Sequence, residues 1–218
     1  MSTCVAKVEF NPEADISNLQ GRVLFVTGAK HKRAHLYFTG QNQKSADTLI
    51  SDISAIDASV GVIFLQCGFG SRASLVKAAE KFHSDRLDVF IACAGLMVVP
   101  ADVTVDGYEI KFGMSHMGNF TLMRLLLPIM FRTAETPGSD VRFIALTSLG
   151  YGLRPHGSII FESTKLKQEN RNTWVKYGQS KLTSILTAKG MARRYPSITS
   201  VVVHPGTAKT GIVDGLSC

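Results

Sequence analysis

Short apolar runs that stop at glycine, each followed by a longer helical pattern, dominate this chain and leave few folds open to it. Arg22-Val-Leu-Phe-Val-Thr27 is closed by Gly28, and Ala34-His-Leu-Tyr-Phe-Thr39 by Gly40. Runs of the same kind lie at 61–65, 87–92, 141–147 and 200–203. They are rich in β-branched and aromatic residues and lack polar alternation, the mark of strands buried on both faces. Helical spacing separates them. Leu49, Ile50, Ile53 and Ile56 predict a helix over 44–56, Ser71 caps a helix to about His83, and longer patterns cover 108–132 and 173–195. Strands alternating with helices predict an α/β fold, a doubly wound and mostly parallel sheet with helices on both faces. Residues 1–218 show no internal repeat or low-complexity linker and read as a single domain.

The first junction is unusual. Only six residues, Gly28 to Arg33, separate the first two runs, whereas a parallel crossover takes a dozen or more and usually contains a helix. Six extended residues reach roughly 20 Å, barely the length of one strand back along the sheet. A first crossover helix does not fit there. The two runs are joined by a stretched loop, or they form an irregular antiparallel pair.

The formal charge of +7 (24 Lys and Arg against 17 Asp and Glu) favours acidic partners, phosphorylated cofactors among them. The basic residues are scattered with no run of five or six, so nucleic acid is not an expected partner. The first 20 residues are polar and carry Glu9, Glu13 and Asp15, unlike a signal peptide. The most apolar stretch, 120–131, is broken by Arg124 and Pro128 and is too short to span a bilayer. Cys4, Cys67, Cys93 and Cys218 are far apart, form no C-x-x-C motif and read as reduced thiols, not disulfides or a zinc site. These features predict a cytoplasmic protein with no membrane span and no bound metal.

Three features could carry chemistry. Tyr177-Gly-Gln-Ser-Lys181 places a phenol and an ammonium one helical turn apart on one face. A nearby cation favours phenolate and would lower the tyrosine pKa toward neutrality, making Tyr177 a usable general acid or base. Ser148 closes the strand pattern at 141–147, at the edge where open α/β sheets bind ligands, and its hydroxyl could hydrogen-bond a substrate oxygen. Ala94-Gly95 and Pro205-Gly206 put small or φ-fixed residues at two other strand ends, where backbone can approach a cofactor closely.

Taken in order, these residues resemble the short-chain dehydrogenase/reductase family, and within it the retinol-dehydrogenase-like and fungal biosynthetic-cluster members. The carriers are Leu19-Gln-Gly-Arg-Val-Leu-Phe-Val-Thr-Gly28, Leu87-Asp-Val-Phe-Ile-Ala-Cys-Ala-Gly95, Asp106-Gly-Tyr-Glu-Ile-Lys-Phe-Gly113, Ser148, Trp174-Val-Lys-Tyr-Gly-Gln-Ser-Lys-Leu182 and Val203-His-Pro-Gly206. The resemblance implies a Rossmann-like fold and hydride exchange between a nicotinamide cofactor and a small carbonyl or alcohol, with a place in secondary metabolism. It gives Tyr177 the role of proton donor or acceptor. Lys181 would lower the pKa of Tyr177 and hold the nicotinamide ribose, while Ser148 would position the substrate oxygen. Gly28, Gly95, Tyr177, Lys181, Ala208 and Thr210 would contact the cofactor.

The chain departs from that family in several places. The family's glycine-rich turn and first helix are replaced by Gly28-Ala-Lys-His-Lys-Arg33, roughly a dozen residues shorter. Each charge-assisted bond to a pyrophosphate contributes about 1.5–3 kcal/mol, so the loss weakens cofactor binding substantially. Cys93, Ser115 and Gly68 stand where the family has Asn, Asn and Asp. The chain stops at Cys218, before the family's usual substrate-binding segment and last strand, so its C-terminus reads as truncated, and its open sheet edge predicts self-association into a homo-oligomer or instability. No acidic residue follows the second run in Thr39-Gly-Gln-Asn-Gln-Lys44, which favours NADP over NAD. The alternative to an active reductase is a remnant with little cofactor binding, serving as a binding or scaffold protein or standing as an inactive gene product.

Overall fold

The computed structural model describes residue 19, residues 21–27 and residues 35–206. Among the described residues six strands form one sheet: β1 (Val23–Thr27), β2 (His35–Gly40), β3 (Val62–Gln66), β4 (Val89–Ala92), β5 (Arg142–Leu146) and β6 (Thr199–Val203). Their spatial order is β3-β2-β1-β4-β5-β6, and every pairing is parallel. The full helices among the described residues are α1 (Gln43–Ile56), α2 (Arg72–Glu80), α3 (Gly118–Ala134) and α4 (Thr173–Arg194).

Two expectations are refined. The sheet is wholly parallel, and the one antiparallel contact among the described residues is an isolated bridge between Val103 and Glu109. β1 and β2 are parallel neighbours from Val23 opposite His35 to Thr27 opposite Thr39, which excludes the antiparallel alternative. The residues joining them, 28–34, lie outside the described ones.

Parallel register turns the apolar runs into rows. Phe25, Phe90 and Phe143 sit opposite one another on β1, β4 and β5, with ring centroids 5.2 and 5.8 Å apart, and all three are buried. Burying each ring contributes about 1.5–3 kcal/mol. Leu75 and Ala78 of α2, Leu122, Leu126 and Met130 of α3, and Ala188 and Met191 of α4 close over this face. The opposite face holds a smaller cluster of Val26, Leu36 and Ile53, the last from α1. Helices therefore flank both faces, unequally. On β6, Val201 and Val203 are about two-fifths exposed, in register with Ile144 and Leu146.

The N-caps follow the sequence. Asn42 accepts from Ser45 N at α1, Ser71 from Ser74 N at α2, and Asn172 from Trp174 N at α4. The pattern at 108–132 is less regular than its spacing implies: an α turn (Ile110–Phe112) passes through a π turn (Gly113–Met117) into α3. π turns inside helices recur at functional sites, and this one holds Ser115.

Candidate active site

The strand order reverses direction at β1 and β4, and ligands of open α/β sheets bind at such a switch point, beyond the carboxyl ends of the strands. At that edge Thr27 ties β1 to its neighbours. Its hydroxyl donates to Asn119 Oδ1 (2.6 Å) and accepts from Cys93 N (2.7 Å) and Ala94 N (2.9 Å). Asn119 in turn donates to Ala94 O and Ser115 O. These bonds fix the turn after β4 against the π turn and so place Gly95.

Ser148 lies two residues past β5 in extended backbone, and its Oγ accepts from Gly150 N (3.1 Å), capping a 3-10 turn over Leu149–Leu153. α4 packs onto that turn backbone to backbone. A Cβ on Gly178 would lie 2.7 Å from both Arg154 N and Gly150 O. A Cβ on Gly150 would lie 2.9 Å from the Tyr177 ring and 3.4 Å from Ser148 Oγ. Two glycines thus allow the hydroxyl of Ser148 and the ring of Tyr177 to meet, and Ser148 hydrogen-bonds the phenol.

Lys181 projects one turn further into the same site and is 5% exposed. Its Nζ donates to Leu146 O (3.4 Å) and lies 5.7 Å from the Tyr177 ring centroid. A Cβ on Gly95 would lie 3.0 Å from Ser115 Oγ and 3.6 Å from Lys181 Nζ. The ends of β4 and β5, the π turn and α4 therefore converge on one ammonium. No carboxylate among the described residues pairs with it. A buried cation with a backbone carbonyl as its partner suits ribose hydroxyls or another oxygen-rich ligand, so the residues present fit the nicotinamide half of a dinucleotide. Among the described residues there is no His, Cys, Asp and Glu group that could hold a metal.

The electrostatics differ from the expectation of a phenol acidified by lysine. Burial pushes the Tyr177 phenol up, opposed by its hydrogen bond to Ser148. Burial also pushes the Lys181 ammonium down, with the nearby Cys93 thiol opposing. The reason is geometric: Nζ bonds a backbone carbonyl and stands off from the phenol ring. Burial raises the Cys93 thiol, which leaves it protonated near neutrality.

The structure thus brings together Ser148, Tyr177, Lys181 and Gly95, with Ser115 and Cys93 beside them. Gly28, Ala208 and Thr210 lie outside the described residues. Gly206 follows β6 with φ of +77°, a conformation suited to glycine. Sequence reasoning missed the Thr27–Asn119 bond and a buried charge cluster. In the cluster, Lys111 lies 4.0 Å from Glu109 and donates to Val99 O, and Lys176 donates to Gln168 O. Their only sequence signal was charge inside apolar helical patterns, which usually means an exposed face.

The sequence profile of the short chain dehydrogenase family matches residues 24–217. An uncharacterized oxidoreductase of Schizosaccharomyces pombe is 31% identical over 214 residues, covering 90% of this chain and 63% of that protein. Human retinol dehydrogenase 13 is 28% identical, covering 89% of this chain and 61% of that protein. The chain thus spans less than two thirds of the length of these relatives. The complex of Pseudomonas aeruginosa RhlG with NADP superposes with a TM-score of 0.68 at 19% identity, covering 90% of this chain and 76% of that one, a likeness of fold. By sequence profile and fold alike, the chain belongs to the short-chain dehydrogenase family.

Proposed function

We propose that this chain is an NADP-dependent oxidoreductase that reduces a small aldehyde or ketone, with Ser148, Tyr177 and Lys181 as its catalytic residues. The observation that carries the reading is the meeting of these three side chains at the sheet's switch point, enforced by Gly150 and Gly178. The cofactor, when bound, supplies a hydride to the carbonyl carbon. Tyr177 gives its phenolic proton to the carbonyl oxygen as that oxygen gains charge. Ser148 donates a hydrogen bond to the same oxygen and orients it. Lys181 would hold the nicotinamide ribose, and its charge would stabilise the phenolate left on Tyr177. A phenol kept protonated by burial is the form that reduction requires.

The choice of NADP rests on the end of β2. Gln41, Asn42 and Gln43 supply no carboxylate for the ribose diol, and Asn42 is committed to capping α1. Asp47, the nearest acid on α1, accepts from Gln43. Lys44, next to Gln43 in the first turn of α1, is exposed and suits a 2′-phosphate.

Calorimetric titration with NADPH and NADH, followed by a panel of aldehydes and ketones, tests the reading. NADPH is expected to bind more tightly than NADH and to be oxidised with at least one carbonyl. No binding of either nucleotide at millimolar concentration would sink the enzyme reading and leave a scaffold that has kept its family's fold.

A further inference from the structure

The turn that follows β4 is held almost entirely by side chains. Residues 93–96 belong to no helix or strand, so no backbone ladder fixes them. Cys93 N and Ala94 N donate to Thr27 Oγ1 (2.7 and 2.9 Å), Ala94 O accepts from Asn119 Nδ2 (2.8 Å), and Leu96 N donates to Ser115 Oγ (3.1 Å). Each peptide plane from 92–93 to 95–96 is therefore pinned by a side chain of β1, the π turn or α3. Connecting turns commonly leave such groups to water; a turn determined this fully holds one shape.

Asn119 is the node of that arrangement. It is 7% exposed and sits on the sheet-facing side of α3. Its Oδ1 accepts from Thr27 Oγ1 (2.6 Å), and its Nδ2 donates to Ala94 O and to Ser115 O (2.9 Å). The orientation of the amide follows from its partners. Thr27 Oγ1 already accepts two N–H groups, so its own proton points to an acceptor, and both protons of Nδ2 face carbonyls. An acceptor and two donors on one short planar group are what asparagine offers; aspartate lacks the donors and leucine lacks both. Burying an amide is unfavourable unless its bonds are made, and here three are made.

The shape so fixed carries Gly95 past Lys181. A Cβ on Gly95 would lie 3.0 Å from Ser115 Oγ and 3.6 Å from Lys181 Nζ. Rotation of any peptide plane in the turn would shift this backbone beside the ammonium. Ser148 and Tyr177 meet through Gly150 and Gly178, on other elements, and do not depend on Asn119.

We propose that Asn119 is a positioning residue for the nicotinamide cofactor, acting through the turn 93–96. The proposal rests on the reductase reading above. Without the amide the turn takes several shapes, and the cofactor binds only the fraction that keeps the right one. Its affinity falls in proportion to that fraction.

The test compares the whole wild-type chain with Asn119→Leu, which keeps the volume and removes all three bonds. The Kd of NADPH, by calorimetry, is expected to rise at least about tenfold, as when the competent shape falls to about a tenth of the population. The KM of a carbonyl at saturating NADPH should stay within about twofold. A merely structural loss would lower the active fraction, and with it kcat, and leave the Kd unmoved. Amide exchange in the nucleotide-free protein, followed by mass spectrometry, should quicken at least about tenfold at 93–96 and stay unchanged in β5. Asn119→Ser, which is small and polar and does not reach both carbonyls, carries the same expectations if the leucine variant fails to fold. An unchanged Kd, or unchanged exchange at 93–96, in a folded variant overturns the positioning role. A wild type that binds no NADPH is a separate result, which overturns the reductase reading and this role with it.

Discussion

Replacing Gly178 with alanine tests the contact that assembles the site. A Cβ there would fall 2.7 Å from Arg154 N and Gly150 O and 2.9 Å from Leu153 C. All three are backbone atoms, so no side-chain rotation relieves the clash and the turn Leu149–Leu153 must move off α4. Overpacking of this kind costs about 1–3 kcal/mol, and the better helix propensity of alanine returns about 1 kcal/mol. A net loss of up to about 2 kcal/mol is expected for Gly178→Ala. Gly190 in the same helix provides the control, because a Cβ there meets nothing within 4 Å. Gly190→Ala should therefore stabilise the protein by about 0.5–1 kcal/mol. Two identical chemical changes three turns apart are predicted to differ by the overpacking cost, about 1–3 kcal/mol, which is roughly 1 M in urea midpoint. Carbonyl reduction should fall with the first and not the second, since displacing Ser148 from Tyr177 misaligns the reacting groups. If Gly178→Ala unfolds at the same urea concentration as Gly190→Ala, the close packing of α4 on the turn is wrong.

Other consequences can be checked on stability. Phe90 stands between Phe25 and Phe143 and is fully buried, so Phe90→Ala should cost about 3–5 kcal/mol in urea unfolding; less than 1 kcal/mol would contradict the aromatic row. His116, with a folded pKa of about 4 against 6.5 when unfolded, binds its proton more readily in the unfolded chain. Stability is then lost as pH falls from 6.5 toward 4, by about 2 kcal/mol from this group at pH 5. In His116→Gln that part of the drop between pH 7 and pH 5 should disappear, and an unchanged drop would show that the imidazole is not shielded from water.

Much of this architecture was legible in the sequence because its signals are local. The apolar runs became β1 to β6, and the cap Ser71 sits where its hydroxyl accepts from Ser74 N at the start of α2. The i and i+4 spacing of Tyr177 and Lys181 put both on the buried face of α4. What failed to show was everything set by distant chain segments. The bond from Thr27 to Asn119 spans 92 residues. The pairing of β1 with β2 could have been parallel or antiparallel on length considerations. Spacing on a helix gave the proximity of Lys181 to Tyr177, yet not the Leu146 carbonyl that draws the ammonium aside. For that reason the sequence implied an acidified phenol where burial yields a protonated one.

The central claim is that Tyr177 delivers the proton while a hydride reaches the carbonyl carbon. Single-turnover oxidation of NADPH, mixed rapidly with a carbonyl that the wild type reduces, should be slowed about 10²–10⁴-fold in Tyr177→Phe, with NADPH affinity little changed. Equal single-turnover rates in the two proteins would show that the proton comes from elsewhere.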